Sequence, residues 1–518
     1  MKKLFFILIS FFLLTACGAN RIAIAPSGVP QLLNPATPQN DDLYHYSIDE
    51  TPLQNPIAIP MPTDTDGVLR LSMRHPLTLN PLLNQDVTVA RILRLIYEPL
   101  ITLDENFRPT SNLAEIEFAS DYSGVSLTIR SDAFWSDGMP VTSDDLIFSI
   151  EALRGASPNA IYYRNVQNIA EVTRINSRAV HIHFHKMTLH AAYDLNFPII
   201  PRHHTSDNLP GNGSFMPTNS TGSLTLTHNP YSFRPRPQVD TIEVLFLPDA
   251  QTDLYAFDQG RIDALHLSLT DWAQHRGLRH IRHEIFPAMY FEFIGFNFQR
   301  EIFENVQIRR GIAHAFDADT AIHDIYLTHA VRASSPIHPY SWAASSVAGL
   351  AYNPVAAYNL LAVIQSEELT IIANDCNPQR TAIAKRLAES LTGAGLPTQT
   401  ELLPLAEYFA RIDLGDFDLY IGGVNLAFAP HVQLFFEGSK LFPADYALQD
   451  AFYAVRLAGT EMAYLQAMAE FQLLFAEQLP VISLAFRHSA VLTNMRITQN
   501  VAPIPDNVFG GLGAWVID

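Results

Sequence analysis

Hydrophobic and polar positions follow the periods of strands and helices once the chain passes residue 66. Val68–Met73 and residues 125–130 alternate between apolar and polar side chains, which predicts strands with one buried face. Ser143 is followed by two aspartates and an apolar stretch, which predicts that Ser143 is the N-cap of a helix over residues 144–153. These patterns indicate a chain that contains both element types.

Strand and helix patterns alternate between residues 369 and 422. Apolar residues recur four positions apart at Ile383, Leu387 and Leu391, which predicts the buried face of one helix, and a second helix pattern covers residues 405–412. Short apolar or alternating runs predict strands at 369–373, 398–403 and 417–422. Alternation of this kind is typical of an α/β fold, in which crossover helices connect parallel strands.

The N-terminus has the pattern of an export signal. Two lysines precede an apolar run over residues 4–14, which is shorter than the roughly twenty residues that span a bilayer. The run ends in Leu14-Thr15-Ala16-Cys17, which resembles a bacterial lipoprotein signal. This resemblance predicts a signal peptide at residues 1–16 and lipidation of Cys17, which would hold the protein outside the cytoplasmic membrane.

A proline-rich segment follows the predicted lipidation site. Eight prolines occur between Gly18 and Asp66, and proline is poorly tolerated inside helices and central strands. We therefore predict that residues 17–66 form a tether, with a mean reach of roughly 40 Å for a flexible chain. The folded body would begin at residue 67.

Composition and charge exclude several classes of protein. Hydrophobic residues make up 48% of the 518 residues, so the chain can bury a large core and is not disordered throughout. The formal net charge is −19 and no long basic run occurs, which argues against a nucleic-acid partner. The two cysteines are too few for a disulfide scaffold. Motifs such as HExxH, GxSxG or a phosphate-binding glycine loop are absent from the sequence, so no enzyme is predicted.

Two sets of polar residues are candidates for chemistry. His181, His183 and His185 would share one face of a strand, where neighbouring imidazoles could hold a metal ion, although a solvated strand face is the favoured interpretation. Asp137 and the two aspartates after Ser143 could be paired acids, but aspartate is also typical of turns and helix caps, and we favour that structural role. Neither a resident metal nor a cofactor is predicted.

Several ordered motifs resemble one family, the extracytoplasmic solute-binding proteins of ABC importers that bind oligopeptides, dipeptides and nickel complexes (solute-binding protein family 5). The most specific is Phe134-Trp135-Ser136-Asp137-Gly138 with Val141-Thr142-Ser143-Asp144-Asp145. The other matches keep the family's order along the chain: Leu79-Asn80-Pro81, Ile96-Tyr97-Glu98-Pro99-Leu100-Ile101, Ile199-Ile200-Pro201-Arg202-His203, Gln259-Gly260-Arg261-Ile262-Asp263 and Gly415-Asp416-Phe417-Asp418-Leu419.

The resemblance implies a two-lobed periplasmic-binding-protein fold, type II-like, with a ligand cleft between the lobes. Lobe one would comprise residues 67–265 and 487–518, with an extra subdomain at about 83–199. Lobe two would comprise residues 266–486. The two places where the chain crosses between lobes would form a hinge, and closure on a ligand would present a surface to a permease.

One loop departs from the family's pattern where the cleft is expected. Residues 422–430 resemble the family's G-G-W-x-x-D-Y-x-D-P stretch with one position fewer before the proline, but Val424 replaces the tryptophan, while Ala427 and Ala429 replace the two acids. In the family the tryptophan forms a pocket wall and the first acid often contacts a peptide's ammonium group. Phe428 keeps the aromatic residue, and His431 after the proline resembles the nickel-binding branch. The candidate ligand-binding residues are Asn80, Val424, Asn425, Ala427, Phe428 and His431.

The resemblance therefore implies a monomeric, membrane-anchored lipoprotein, periplasmic or on the cell surface. It would capture an extracytoplasmic solute, with peptides as the first expectation, and deliver it to ABC permease subunits. Two alternatives stay open: the same fold could bind a non-peptide solute such as a nickel or other metal chelate, or the protein could be a lipid-anchored interaction protein that has lost transport.

Overall fold

The computed structural model describes residues 67–517 apart from 120–123, 186–188, 205–208, 219–222, 268–279, 430–431, 437 and 439–440. The predicted signal peptide, Cys17 and the tether lie outside the described residues, and so does His431. Within the described part of the chain, no helix has both the length and the apolar character needed to cross a bilayer.

The described residues form helices and strands in alternation. The α-helices are α1 (Val87–Ile96), α2 (Ser143–Arg154), α3 (Ala250–Asp258), α4 (Val306–Ala315), α5 (Ala318–Ile325), α6 (Pro354–Leu361), α7 (Pro378–Gly393), α8 (Leu405–Leu414), α9 (Tyr446–Leu457) and α10 (Glu461–Gln478). Short 3-10 helices occur at Tyr163–Val166, Leu189–Leu195, Glu301–Glu304, Ala362–Ile364, Gln433–Phe435 and Leu512–Ala514.

The strands are β1 (Val68–Met73), β2 (Ile101–Leu103), β3 (Pro109–Ser111), β4 (Ala114–Phe118), β5 (Gly124–Ile129), β6 (Ile169–Arg174), β7 (Ala179–Phe184), β8 (Phe215–Thr218), β9 (Leu224–His228), β10 (Thr241–Phe246), β11 (Ala264–Leu267), β12 (Ile281–Phe296), β13 (Ala330–Arg332), β14 (Leu369–Asn374), β15 (Thr398–Leu403), β16 (Leu419–Asn425), β17 (Val481–Asn494), β18 (Ile497–Gln499) and β19 (Val516–Ile517).

Lobe one is built from two four-stranded sheets and a hairpin. One sheet has the order β1-β10-β9-β8 and the other β4-β5-β7-β6, while β2 and β3 pair with each other. A single apolar core joins both sheets, and it contains Leu69 of β1, Trp135 and, from the C-terminal end of the chain, Trp515. The two ends of the described chain therefore belong to the same lobe.

Lobe two is built around the β17-β12-β16-β14-β15 part of a mixed sheet whose full order is β11-β17-β12-β16-β14-β15, and β13 also pairs with β17. The predicted parallel part is confirmed, because β14 runs parallel to both β15 and β16. The predicted buried face of α7 is also confirmed: Ile383, Leu387 and Leu391 are each at most 1% exposed. Apolar cores lie on both faces of this sheet, as expected where helices cover a parallel region on each side.

Two long antiparallel strands, β12 and β17, run through both lobes. In β12, Phe286 packs in the core of lobe one and Met289 packs in a core of lobe two. The pairing with β17 is irregular between Pro287 and Phe291, which is where the strand passes from one core to the other. Together with the helices and sheets of each lobe, these crossings give the two-lobed α/β fold that the sequence predicted.

The start of α2 differs from its prediction by one residue. The N-cap is Thr142, whose backbone N–H and hydroxyl both donate to Oδ2 of Asp145, at 2.8 and 2.9 Å. Ser143 is instead the first helical residue, fully buried, and its hydroxyl donates to the carbonyl of Asn176. Either residue can cap a helix, and the tertiary contact of Ser143 decides which one does.

Candidate ligand cleft between the lobes

A hairpin of lobe one reaches across to lobe two. Strands β2 and β3 are joined by a turn in which Oδ1 of Asp104 accepts the backbone N–H groups of Asn106 and Arg108, both at 2.9 Å. These bonds hold the turn in a shape that places Phe107 at φ +62°. Left-handed backbone is unfavourable for a residue with a side chain, so the contacts of Phe107 must offset that cost.

The side chain of Phe107 is buried in lobe two. Only 1% of it is exposed, and its ring centroid lies 5.0 Å from that of His338 and 5.9 Å from that of Phe428. The ring of His338 in turn lies 4.6 Å from that of Phe486 on β17. We call Phe107, His338, Phe428 and Phe486 the interlobe cluster. It is an aromatic contact between the lobes.

Hydrogen bonds surround the interlobe cluster and also join the two lobes. The backbone N–H of Trp342 donates to the carbonyl of Asn106 at 2.9 Å, and the amide of Asn106 donates to the carbonyl of Tyr340 at 3.1 Å. Tyr193 donates its hydroxyl hydrogen to the carbonyl of Phe107 at 2.9 Å and accepts one from the indole of Trp342 at 3.0 Å. The turn between β2 and β3 is therefore held by hydrogen bonds of Asn106 and Phe107 as well as by the packing of the Phe107 ring.

His338 is a buried, neutral imidazole at this contact. Its Nδ1 accepts the backbone N–H of Tyr340 at 3.1 Å, so its Nε2 carries the hydrogen, and Nε2 has no hydrogen-bond partner among the described residues. Burial, helped by nearby His488, lowers the pKa of His338 to about 3. The cluster thus contains one buried N–H donor without a partner among the described residues, which costs free energy relative to a paired donor.

The β16 loop, which contains four of the predicted ligand-binding residues in the described part of the chain, supplies the other side of the contact through Phe428. Val424 is 2% exposed and pairs with Phe291, Asn425 ends β16 opposite Tyr290, and Ala427 is 8% exposed. Phe428 is the predicted residue that touches lobe one. The β16 loop is apolar beside the interlobe cluster, because valine and alanine occupy positions 424 and 427.

The remaining predicted site residue has a local role. The side-chain oxygen of Asn80 accepts the N–H of Leu82 at 3.0 Å and shapes the turn that follows β1. Sequence reasoning missed Phe107, His338 and Trp342, although each lies at the lobe contact. The hairpin pattern around Asp104 could have indicated a turn, but no sequence signal shows which residue of a turn enters another lobe.

A buried charge cluster lies beside the end of β16. Glu292 of β12 accepts from Nε of Arg380 at 3.0 Å and lies 3.5 Å from Nη1 of Arg487, while Arg380 also donates to the hydroxyl of Tyr290 at 2.8 Å. Burial lowers the pKa of Arg380, but the charge and hydrogen bond of Glu292 together with nearby Tyr290 and Tyr408 outweigh burial, so this pKa is raised overall. A Cβ on Gly423 would clash with the guanidinium of Arg380, which explains glycine there.

His181 and His183 lie on β7 and His185 directly follows it, and the favoured strand-face interpretation is kept. The rings of His181 and His183 meet edge-on with centroids 4.4 Å apart, and Nδ1 of His181 lies 3.1 Å from the hydroxyl of Ser126. In the described part of the chain, this run does not bring three ligand atoms within 4.8 Å of one another. The alternative of a metal site at His181, His183 and His185 is therefore supported only by the neighbouring rings of His181 and His183.

The aspartates around α2 have structural partners. Oδ2 of Asp145 completes the cap of α2, and Oδ1 accepts the N–H of Arg202 at 2.8 Å. Asp137 accepts the N–H of Met139 at 3.0 Å and so closes the turn that contains Gly138. These contacts match the turn and cap roles favoured from sequence.

A comparison with known families identifies this arrangement. The profile described as bacterial extracellular solute-binding proteins, family 5 Middle, matches residues 108–438, which is more than half of the chain. The chain belongs to this family. Its members are extracellular solute-binding proteins by description, and the two-lobed α/β fold described above agrees with this membership.

Individual relatives of this family 5 protein are distant. The oligopeptide-binding protein AppA of Bacillus subtilis is 21% identical over 409 residues, which cover 71% of this chain and 75% of AppA. Among solved structures, the substrate-binding protein CtaP of Listeria monocytogenes superposes with a TM-score of 0.74 at 17% identity, over 88% of this chain and 100% of CtaP. NikA of Brucella suis, solved with Fe(III)-EDTA, gives 0.68 at 17% identity over 88% and 100%. At such identities the structural likeness establishes the fold.

Proposed function

We propose that this protein is the substrate-binding component of an ABC importer, which captures an extracytoplasmic solute between its lobes and delivers it to a permease. The observation that carries the proposal is the burial of Phe107 of lobe one among lobe two residues, while β12 and β17 join the lobes. Such an arrangement suits two bodies that open and close about a hinge. Membership of a solute-binding family supports it.

The hinge would lie where β12 and β17 pass between the cores. Phe286 and Met289 bracket the crossing in β12, and Phe486 and Val491 bracket it in β17. The crossing in β17 lies next to the predicted boundary between the lobes, which falls between residues 486 and 487. With the first crossing at 286–289, residues 266–285 would move with lobe one, and the subdomain at about 83–199 would carry the hairpin that closes the cleft.

The ligand class is a peptide, bound without the usual contact to its ammonium group. AppA of Bacillus subtilis is an oligopeptide-binding protein by name, which supports peptides. In this chain the β16 loop presents Val424, Ala427 and Ala429, all buried and none charged. His338 is neutral and offers a hydrogen-bond donor, which suits a peptide carbonyl or carboxylate. A metal chelate is the second candidate, since NikA of Brucella suis, of the same fold, was solved with Fe(III)-EDTA.

A mass spectrum of small molecules retained after gentle purification tests the proposal directly. We expect a peptide or a chelate, released on denaturation, that restores thermal stability when it is added back. A ligand at 100 times its Kd stabilises the folded state by about 2.7 kcal/mol. Small-angle scattering should then show a smaller radius of gyration with ligand than without. Stable capture of a protein partner together with the absence of any small ligand would overturn transport and favour the interaction-protein alternative.

We also infer that the protein acts as a monomer at the outer side of the cytoplasmic membrane or on the cell surface. The lipoprotein-like Leu14-Thr15-Ala16-Cys17 stretch supports a lipid anchor at Cys17. A tether of residues 17–66 would let the folded body reach a permease in the same membrane.

A further inference from the structure

The geometry points to a transition-metal site on lobe one, formed by Asp137, His203 and His204 with an open coordination position for water or an external ligand. In the sequence, Asp137 precedes the adjacent His203 and His204 by 66 and 67 positions. In the folded chain, one ligand atom from each residue lies within 4.8 Å of the other two. The site shares no residue with the interlobe cluster.

Both histidines converge on the same carboxylate oxygen. Nε2 of His203 lies 2.7 Å from Oδ2 of Asp137, and Nε2 of His204 lies 3.5 Å from the same atom. The two imidazole rings are 5.0 Å apart, centroid to centroid, and inclined at 70°. Two adjacent residues thus aim the same type of ring nitrogen at one anionic oxygen.

The separations are close to those of a metal's ligands. With bonds of about 2.0–2.2 Å, two ligands of a tetrahedral Zn²⁺ are roughly 3.3 Å apart. The pair of His204 and Asp137 already has about this spacing. The pair of His203 and Asp137 has the shorter spacing of a hydrogen bond, and roughly 0.6 Å of separation would let an ion replace the shared hydrogen.

The backbone on both sides of the site is fixed, so the convergence is built into the fold. On the first side, Trp135 is fully buried, Ser136 donates to the carbonyl of Gly211 at 2.7 Å, and Gly138 adopts φ +84°. Oδ1 of Asp137 accepts the N–H of Met139, which leaves Oδ2 directed at the histidines. On the second side, Arg202 donates its N–H to Asp145 of α2.

The charge and exposure of the three side chains suit an ion in contact with solvent. The carboxylate of Asp137 brings the negative charge that a divalent cation favours, and the two imidazole rings bring nitrogen donors. The side chains of Asp137, His203 and His204 are 29%, 35% and 37% exposed, which leaves a path for the ion and for water as a further ligand.

The donor set selects the class of metal. Two imidazoles and one carboxylate suit Zn²⁺, Ni²⁺ or a similar divalent d-block ion, whereas Mg²⁺ and Ca²⁺ prefer oxygen ligands throughout. Three protein ligands fill three of the four coordination positions of a tetrahedral ion. Water or a donor from another molecule fills the fourth. The site would also tie the turn at Asp137 to the segment that follows Pro201.

Titration of the tag-free, full-length protein with Zn²⁺ after treatment with EDTA tests this site, with calorimetry for affinity and Co²⁺ absorption for geometry. We expect saturable binding with one ion at this site and the intense visible bands of tetrahedral Co²⁺. Asp137→Asn keeps an acceptor for Met139 but removes the anionic ligand, and His204→Ala removes one imidazole. Each should weaken the binding of Zn²⁺ at least tenfold.

A matched control uses the other histidine-rich surface of lobe one. His183→Ala removes an imidazole from β7 and should leave the affinity for Zn²⁺ unchanged. Equal affinity in wild type, Asp137→Asn and His204→Ala, or a loss only in His183→Ala, would overturn the assignment. Circular dichroism and the unfolding temperature in EDTA show that each variant folds, so weaker binding then reports on the ligands themselves.

Discussion

The ring of Phe107 in lobe one meets the imidazole of His338 in lobe two edge-on, with centroids 5.0 Å apart and planes at 85°. The two residues are distant in sequence and lie on opposite sides of the predicted cleft. Both are 1% exposed, so each covers the other from water. Because Phe107 reaches this position through left-handed backbone, the contact offsets a local conformational cost.

Removal of the Phe107 ring should open the lobes. Phe107→Ala removes an aromatic ring from a buried contact, and comparable losses in cores cost roughly 3 kcal/mol. We expect a larger radius of gyration by small-angle scattering in the absence of ligand. Phe107→Gly loses the same ring but relieves the left-handed backbone, so it should be the more stable of the two variants by about 1 kcal/mol. A radius equal to that of wild type in both variants would show that the contact does not hold the lobes together.

Acidification should weaken the folded state through His338. Its pKa falls to about 3 in the folded protein from an ordinary 6.5, so the unfolded chain binds a proton below about pH 6.5 while the folded protein does not. The contribution of His338 to the free energy of unfolding is therefore fully present above pH 6.5. It is lost progressively as the pH falls toward 3, because only the unfolded chain gains a proton at this group. Between pH 7.5 and 5.0 the loss should be about 2 kcal/mol.

Denaturant unfolding at several pH values measures this loss. His338→Gln should be less stable at neutral pH, because it loses the ring that packs between Phe107 and Phe486, but its stability should fall less on acidification. His185→Gln, a change at an exposed residue just after β7, serves as the control and should keep the wild-type slope. Parallel pH curves for wild type and His338→Gln would refute the role of His338.

The missing carboxylates should leave the protein indifferent to a peptide's free amine. A buried ammonium needs a partner, and a hydrogen bond to a charged group contributes roughly 1.5–3 kcal/mol. Calorimetry with matched free and acetylated peptides should show less than a tenfold preference in wild type, which corresponds to less than about 1.4 kcal/mol. Ordinary dipeptides should bind weakly.

Ala427→Asp should create that preference, and Ala427→Asn provides the matched control of similar size without charge. Because Ala427 is 8% exposed, the new aspartate should also lower the stability of the unliganded protein. A tenfold or greater preference for the free amine in wild type would mean that another residue supplies the negative charge.

Loss of the buried charge of Glu292 should be far more costly than loss of a surface charge. Glu292→Gln leaves Arg380 and Arg487 without this carboxylate, and breaking a buried pair costs about 3–5 kcal/mol. Glu401→Gln breaks the partly exposed pair with Arg411 and should cost at most about 1 kcal/mol. Urea unfolding of the two variants gives the comparison, and similar losses would show that the buried cluster is not needed for stability.

Cys17→Ser should abolish lipidation, because the proposed lipid anchor is attached to this cysteine. The uncleaved precursor should persist, or the protein should move to the soluble fraction after cleavage by another peptidase. Labelling with a clickable palmitate analogue measures the modification. Label on the Cys17→Ser variant equal to that on wild type would refute the anchor.

Local pattern was enough for several elements. Val68–Met73 is the first strand as predicted, and Ile383, Leu387 and Leu391 form a buried helix face, because strand and helix periods are visible in the order of residues. The parallel arrangement of β14, β15 and β16 followed from alternation of strand and helix patterns. The two-lobed fold followed from the resemblance of ordered motifs to a family.

The contacts between distant segments required the tertiary structure. Phe107 lies in a turn whose local pattern does not show where its ring goes, and Glu292 meets Arg380 across 88 positions of sequence. Asp137 and His203 are separated by 66 positions and are hydrogen-bonded in the fold. The sequence by itself determined which segments become strands and helices, since periodicity is a local property. The tertiary structure decided which side chains share a buried contact, because burial and charge pairing depend on surfaces that only the packed chain brings together.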